Sequence, residues 1–233
     1  MQNKTKTALV VIDMEMGFVN EESVHCIKMA KDSVPACVRT VENARKKGIP
    51  VFFVKRIYRD NGCDVELTRY DSWKQGGRGM RPGSTGYNSA EQVEGLKPQK
   101  GDYTIIKPRW SAFFNTELDL ILRRLGVETV VLIGTTTPNC IRTSAYDANS
   151  LEYEVVIVED ACSSATEEIQ KANILDLKRM GAIIMTAQEF DAYDENTVSA
   201  KHYSILAEIE NSDIAPETYI TMADGTYASV DRW

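Results

Sequence analysis

The sequence predicts a three-layer α/β/α sandwich built on a six-stranded parallel sheet. Two observations carry that expectation. Six short runs are apolar throughout rather than alternating, which marks strands buried on both faces. Helical stretches separate these runs, so each strand rejoins the sheet through a crossover, right-handed by default.

The elements follow in order. "ALVVID" (8–13) reads as the first strand, and a helical stretch runs from about Ala30 to Lys47. "VFFVK" (51–55) is the second strand. Residues 57–100 are rich in Gly, Arg and polar side chains and too long for an ordinary connection, so a lid or binding loop is expected there. "YTIIK" (103–107) is the third strand, and "TELDLILRRLG" (116–126) a helix closed by glycine. "TVVLIG" (129–134), a helix from about Asn139 to Leu151, and "EVVIVED" (154–160) come next. The helical "ATEEIQKANILDLKRMG" (165–181) again ends in Gly, and "AIIMT" (182–186) closes the series. The tail from about Ala200 carries Tyr203, Tyr219, Tyr227 and Trp233 with little helical period. It is expected to pack on its own domain or on a neighbouring subunit. There is no internal repeat. One domain over 1–233 is expected, with a core of about 7–190, the insert of about 57–100 and a C-terminal extension of about 200–233.

A net charge of −7 disfavours phosphate backbones and anionic membranes, so neither nucleic acid nor membrane is an expected partner. No apolar run approaches the ~20 residues that span a bilayer. The start "MQNKTKTALVVID" does not read as a signal peptide, and a cytoplasmic location is expected. The five cysteines are irregularly spaced without a CxxC pair, which suggests neither a disulfide framework nor a zinc knuckle. His25 and His202 are the only histidines. A His-rich metal site cannot be built, and a Ser–His–Asp triad would have to use one of the two. No GxGxxG follows the first strand. "GGRGMRPGSTG" (76–86) is glycine-rich, but it neither follows a buried strand nor opens a helix, so it is not read as a phosphate cradle. No cofactor is expected.

In open α/β sheets, ligands bind beyond the carboxyl ends of the strands. Those ends supply Asp13, Lys55–Arg56, Lys107, the Thr135–Cys140 turn and Glu159–Asp160. In "GTTTPNCIRTS" (134–144), Thr137 suits an N-cap and Pro138 the first helical position. Cys140 then falls in the first helical turn, where the helix dipole favours thiolate. It reads equally as a small buried hydrophobe. Asp13, in "VVIDMEMGF", is a turn-former or a placed carboxylate. Lys107, in "IIKPRWSAFF", is a lysine whose head reaches solvent or a placed ammonium. Together they offer a carboxylate, an ammonium and a thiol at one sheet edge, in a chain with almost no histidine for acid–base work.

These three segments resemble the isochorismatase-like cysteine hydrolase family, over about residues 7–190. The matching motifs are "VVIDMEMGF", "KPRWSAFFNTELDLILRRLG" and "GTTTPNCIRTSAYDANSLEYEVVIVEDACSS". The elbow is similar to those of the carbamoyl and ureido amide hydrolases within the family. The resemblance implies the strand order 3-2-1-4-5-6, a homo-oligomer, and a catalytic triad of Asp13, Lys107 and Cys140. It implies a non-proline cis peptide joining Thr135 and Thr136, with the Thr136 and Cys140 N–H groups forming an oxyanion hole. The implied reaction is hydrolysis of a C–N bond in a small amide, carbamoyl or ureido compound through a thioester. Alternatives are a family hydrolase acting on another bond or a larger amide, and a non-catalytic binding protein on the same fold. Nicotinamidases of this family carry an Asp-x-His type metal motif after the second strand. Here that place reads "VKRIYRDNGCDVE", without histidine, so no metal is expected and nicotinamide is disfavoured. For substrate contacts the candidates are Phe18, Arg56, Trp110 and Thr137, with Tyr58, Arg69, Tyr70 and Trp73 nearby in sequence. An arginine there suits a substrate carboxylate, and each reads equally as a solvated loop residue.

Overall fold

In the computed structural model, residues 5–212, 218–221, 223, 224 and 226–230 are described. Six parallel strands form the sheet: β1 (Thr7–Ile12), β2 (Val51–Arg56), β3 (Tyr103–Lys107), β4 (Thr129–Thr135), β5 (Glu154–Ser163) and β6 (Ile183–Met185). Their order is β3-β2-β1-β4-β5-β6, as expected. Helices α1 (Met16–Val19), α2 (Ala30–Lys46), α3 (Tyr70–Gln75), α4 (Leu118–Leu125), α5 (Arg142–Ser150), α6 (Glu167–Met180), α7 (Ala187–Phe190) and α8 (Glu195–Glu210) connect and flank them. β7 (Thr218–Thr221) and β8 (Tyr227–Val230) pair as a separate antiparallel hairpin.

Strand periodicity sorts the side chains into two cores. Val10, Ile12, Phe52, Val54, Ile105 and Leu132 face Leu118, Leu122, Ala145 and Leu177 of α4, α5 and α6. Their neighbours Leu9, Val11, Phe53 and Val131 face Cys37, Val41 and Phe190 of α2 and α7. Both faces of β1 and β4 are fully buried, which is why their runs lack alternation. The same reading fails for β3 and β6. They are the edge strands, and Ile106 of β3 is 44% exposed because no helix covers that face. The glycines foreseen as helix ends, Gly126 and Gly181, both close their helices in the left-handed conformation.

Two further expectations need correction. The run 154–160 continues as a strand to Ser163, because Ala161 and Cys162 are buried beside β4. The tail is helical over α8. It starts at an Asp194 cap that accepts the Asn196 N–H. Its Tyr203, Ile205, Leu206 and Ile209 remain exposed, so no single apolar stripe announces it. Tyr203 hydrogen-bonds with Glu128 and Lys6, so α8 lies against its own fold. Trp233 lies outside the described residues.

The order places β1 between β2 and β4, with Ile12 opposite Val54 on one side and Gly134 on the other. The contact at Gly134 is close. A Cβ added there would meet the Ile12 carbonyl oxygen at 2.0 Å, and its φ of +115 is one that side chains avoid. Gly134→Ala should therefore cost roughly 3 kcal/mol or more of stability. Urea unfolding of the two proteins measures this, and a loss under about 1 kcal/mol would mean that the two strand ends separate easily.

Candidate active site

Asp13 follows β1 directly, in a left-handed conformation (φ +52). Its N–H donates to the Val54 carbonyl at 2.9 Å. The chain thus turns out of the sheet and leaves the carboxylate at its mouth. Lys107 ends β3, two strands away, paired in register with Arg56 of β2. Its head does not reach solvent: Lys107 is fully buried. Its Nζ lies 2.8 Å from Asp13 Oδ2 and 3.5 Å from Cys140 Sγ, and donates to the Arg109 carbonyl at 3.0 Å. Its two hydrogen bonds go to Cys140 and the Arg109 carbonyl, and the contact with Asp13 is an ion pair.

Cys140 sits in a π-helical turn, Thr137–Ile141, that leads into α5. The peptide joining Thr135 and Thr136 is cis. Thr137 does not serve as the cap expected of it. Its hydroxyl is turned into the fold, donating to the Ser163 carbonyl at 3.1 Å and meeting Gln170 Oε1 at 2.7 Å. That side chain is therefore committed and is not presented to a substrate. Gln170 also accepts from Ser164 and donates to the Glu159 and Cys162 carbonyls, pinning the turn to β5. The Ser144 hydroxyl donates to the Cys140 carbonyl at 2.6 Å and accepts the Ala112 N–H at 2.8 Å. It latches the segment after Lys107 to the helix that carries Cys140. Among the described residues, the Thr136 N–H has no acceptor.

The thiol's electrostatics reverse the expectation of a thiolate. Burial pushes Cys140 up to about 11, the Asp13 charge adds to the rise, and Lys107 and Arg56 pull it down. Cys140 is only 5% exposed, and lost hydration outweighs both cations. The resting group is a neutral thiol within hydrogen-bonding reach of Asp13.

Arg56 lies on the triad's side of the sheet and is fully buried. The carboxylate foreseen for it belongs to the chain itself. Arg56 Nη1 pairs with Glu66 and with the Tyr58 hydroxyl, which also donates to Glu66 at 2.8 Å. Glu15 was not anticipated. Its Oε2 accepts the Arg56 N–H at 2.8 Å, tying the end of β1 to that of β2. Burial, then the Asp13 charge, pushes its carboxyl well above the usual range, against the Arg56 N–H, Lys55 and Lys107. Phe18 packs with Tyr58, Val65, Trp73, Met80 and Ala90 in a small core under the 57–100 segment. Tyr70 stacks obliquely on Trp73, Arg69 is half-buried, and Trp110 is 40% exposed. Sequence reading thus found Asp13, Lys107, Cys140 and Arg56, which the fold brings together. It missed Glu15, Ser144 and Gln170, each with a partner distant in the chain, and Glu66, which itself lies in an irregular loop. Among the described residues, no group of three or more His, Cys, Asp or Glu is arranged to hold a metal ion.

A family model for the isochorismatase domain matches residues 7–189. The chain belongs to the isochorismatase-like cysteine hydrolase family. It is 44% identical over 189 residues to a probable inactive nicotinamidase of Arabidopsis thaliana, covering 79% of this chain and 94% of that protein. It is 30% identical over 207 residues to the ureidoacrylate amidohydrolase of Azorhizobium caulinodans, covering 79% and 88%. The crystal structure of an isochorismatase family protein from Desulfovibrio vulgaris superimposes with a TM-score of 0.76 at 38% identity, covering 80% of this chain and 97% of that one. Among the described residues of this family member, no helix is long and apolar enough to cross a membrane.

Two outcomes follow from the charges around Cys140. The rate of its alkylation by iodoacetamide should rise with pH toward a midpoint near 11, since burial favours the neutral thiol. Asp13→Asn removes a charge that raises the thiol and should lower the midpoint. Lys107→Met should raise it; opposite shifts would contradict the assignment. Burial and the Asp13 charge push the Glu15 carboxyl up, and Gln would keep an acceptor oxygen for the Arg56 N–H, so Glu15→Gln should change stability by less than about 1 kcal/mol. A larger loss in urea unfolding would contradict this.

Proposed function

We propose that this chain is a cysteine amidohydrolase that cleaves a C–N bond in a small amide, carbamoyl or ureido compound. The observation that carries the reading is the Lys107 ammonium, set 2.8 Å from the Asp13 carboxylate and 3.5 Å from the Cys140 sulfur, with all three side chains buried. The named activity of the ureidoacrylate amidohydrolase relative supports the same bond type.

In this reading the Cys140 sulfur attacks the carbonyl carbon while Asp13 takes the thiol proton. A thiol held near 11 suits that order of events, because the nucleophile and the protonated Asp13 that will serve as acid form together only when a carbonyl is in place. The carbonyl oxygen becomes an oxyanion received by the Thr136 and Cys140 N–H groups; one donor of this kind is worth about 3 kcal/mol. Asp13 passes the proton to the leaving nitrogen, the C–N bond breaks, and ammonia or an amine departs from a thioester. Water then gives a proton to Asp13 and its oxygen to the acyl carbon. The C–S bond breaks, and the sulfur recovers its proton from Asp13. Lys107 stabilises whichever neighbour is anionic.

A non-catalytic binding role is the second reading, favoured by the name of the 44%-identical probable inactive nicotinamidase. That name concerns nicotinamide, and the loop after β2 here lacks the histidine of the nicotinamidase metal motif. An ammonia-release screen over small primary amides, ureido compounds and nicotinamide separates the two. The expected result is release from a carbamoyl or ureido compound, none from nicotinamide, and a loss of roughly 10³-fold or more in Cys140→Ala. Release that survives Cys140→Ala, or no release from any compound, would sink the proposal.

A further inference from the structure

We propose that the free edge of the Arg56 guanidinium binds a neutral carbonyl oxygen on the non-reacting part of the substrate, and that Glu66 makes the site reject substrates bearing a carboxylate there. The inference rests on the amidohydrolase reading and names its substrate class: carbamoyl or ureido compounds whose far end is an uncharged amide or ester.

Arg56 and Lys107 are register partners at the ends of adjacent parallel strands, so both side chains leave the same face of the sheet. That face carries Phe52, Val54, Ile105 and Cys140. Arg56 is fully buried, and only its Nη1 is used, by Glu66 and by the Tyr58 hydroxyl at 3.1 Å. Among the described residues, Nε and Nη2 have no hydrogen-bond partner. These two nitrogens form the parallel fork with which arginine grips planar acceptors. Native folds rarely leave such donors buried and unpaired. A cation with two idle donors, near enough to Cys140 to lower its pKa, is a place for a ligand acceptor.

The charge balance decides which acceptor. Burial raises the Glu66 carboxyl, but the Arg56 charge and the Tyr58 hydroxyl outweigh it and hold Glu66 below its ordinary value, so it is ionised. Glu66 neutralises Arg56 as Asp13 neutralises Lys107. Burial pushes the Cys140 thiol up to about 11 and the Glu15 carboxyl up as well, and neither group can add a positive charge. A substrate carboxylate on Arg56 would be an uncompensated buried anion. It would also cancel the pull of Arg56 on Cys140, raising the thiol as the sulfur must become anionic. A carbonyl oxygen accepts both N–H groups and adds no charge.

The test uses N-carbamoylglycine and its N-methylamide, which differ only in carboxylate against amide, titrated calorimetrically into the Cys140→Ala protein. The amide is expected to bind at least tenfold more tightly. With Glu66→Gln added, the carboxylate should gain at least tenfold and the preference should disappear or invert. Arg56→Met should weaken the amide at least tenfold, and if that variant does not fold, the Glu66→Gln comparison decides alone. Equal affinities, tighter carboxylate binding with Glu66 intact, or no binding of either compound would overturn the proposal. Binding here requires no turnover, so this result stands apart from the ammonia-release screen, whose failure would instead remove the amidohydrolase reading.

Discussion

The site depends on one ammonium group. Lys107 crosses from β3 over the end of β2 to reach a carboxylate on β1 and a sulfur beyond β4. Removing these charges from water is costly, and close pairing with further hydrogen bonds offsets that cost. The Asp13 contact and the Arg109 carbonyl supply this compensation. The pair holds only if β1, β2 and β3 keep their order and register. Breaking such a pair from one side typically costs about 3–5 kcal/mol. The Lys107–Asp13 pair is therefore also a fastening between strand ends, and its surroundings must be rigid to keep it.

Rigidity comes from polar links that the chemistry does not consume. Glu15 ties the end of β1 to that of β2. Gln170 holds the Thr136–Thr137 turn against β5 through Thr137, and Ser144 joins the Cys140 helix to the segment after Lys107. Each satisfies a buried backbone group at the sheet mouth, where strand hydrogen bonding has run out. The consequence is that the Cys140 sulfur and the Asp13 carboxylate, nucleophile and base of the proposed reaction, are placed in advance and buried. In the proposed reaction the carboxylate does what histidine does elsewhere.

The architecture was legible because burial leaves a plain trace. Runs such as "ALVVID" and "TVVLIG" are apolar on both faces, and only a central parallel strand needs that. The edge strand "YTIIK" looked the same, yet nothing in its composition reveals that Ile106 lacks a covering helix. α8 went unread because it is held by a cap and by Tyr203 rather than by an apolar stripe. At the site, residue type and strand position pointed to Asp13, Lys107 and Cys140. Their electrostatics stayed hidden: a helix terminus argued for thiolate, and the desolvation that overrules it belongs to the folded state alone. Glu66 lay in a loop without period, so its pairing with Arg56 had no signal in the sequence.

The most direct measurement is a single-turnover acid quench, with enzyme in excess over a ureido compound that releases ammonia, followed by peptide mass mapping. The account predicts an acyl adduct confined to the peptide containing Cys140 and absent from Cys140→Ala. Turnover that labels another residue, or that completes without ever labelling Cys140, would contradict it.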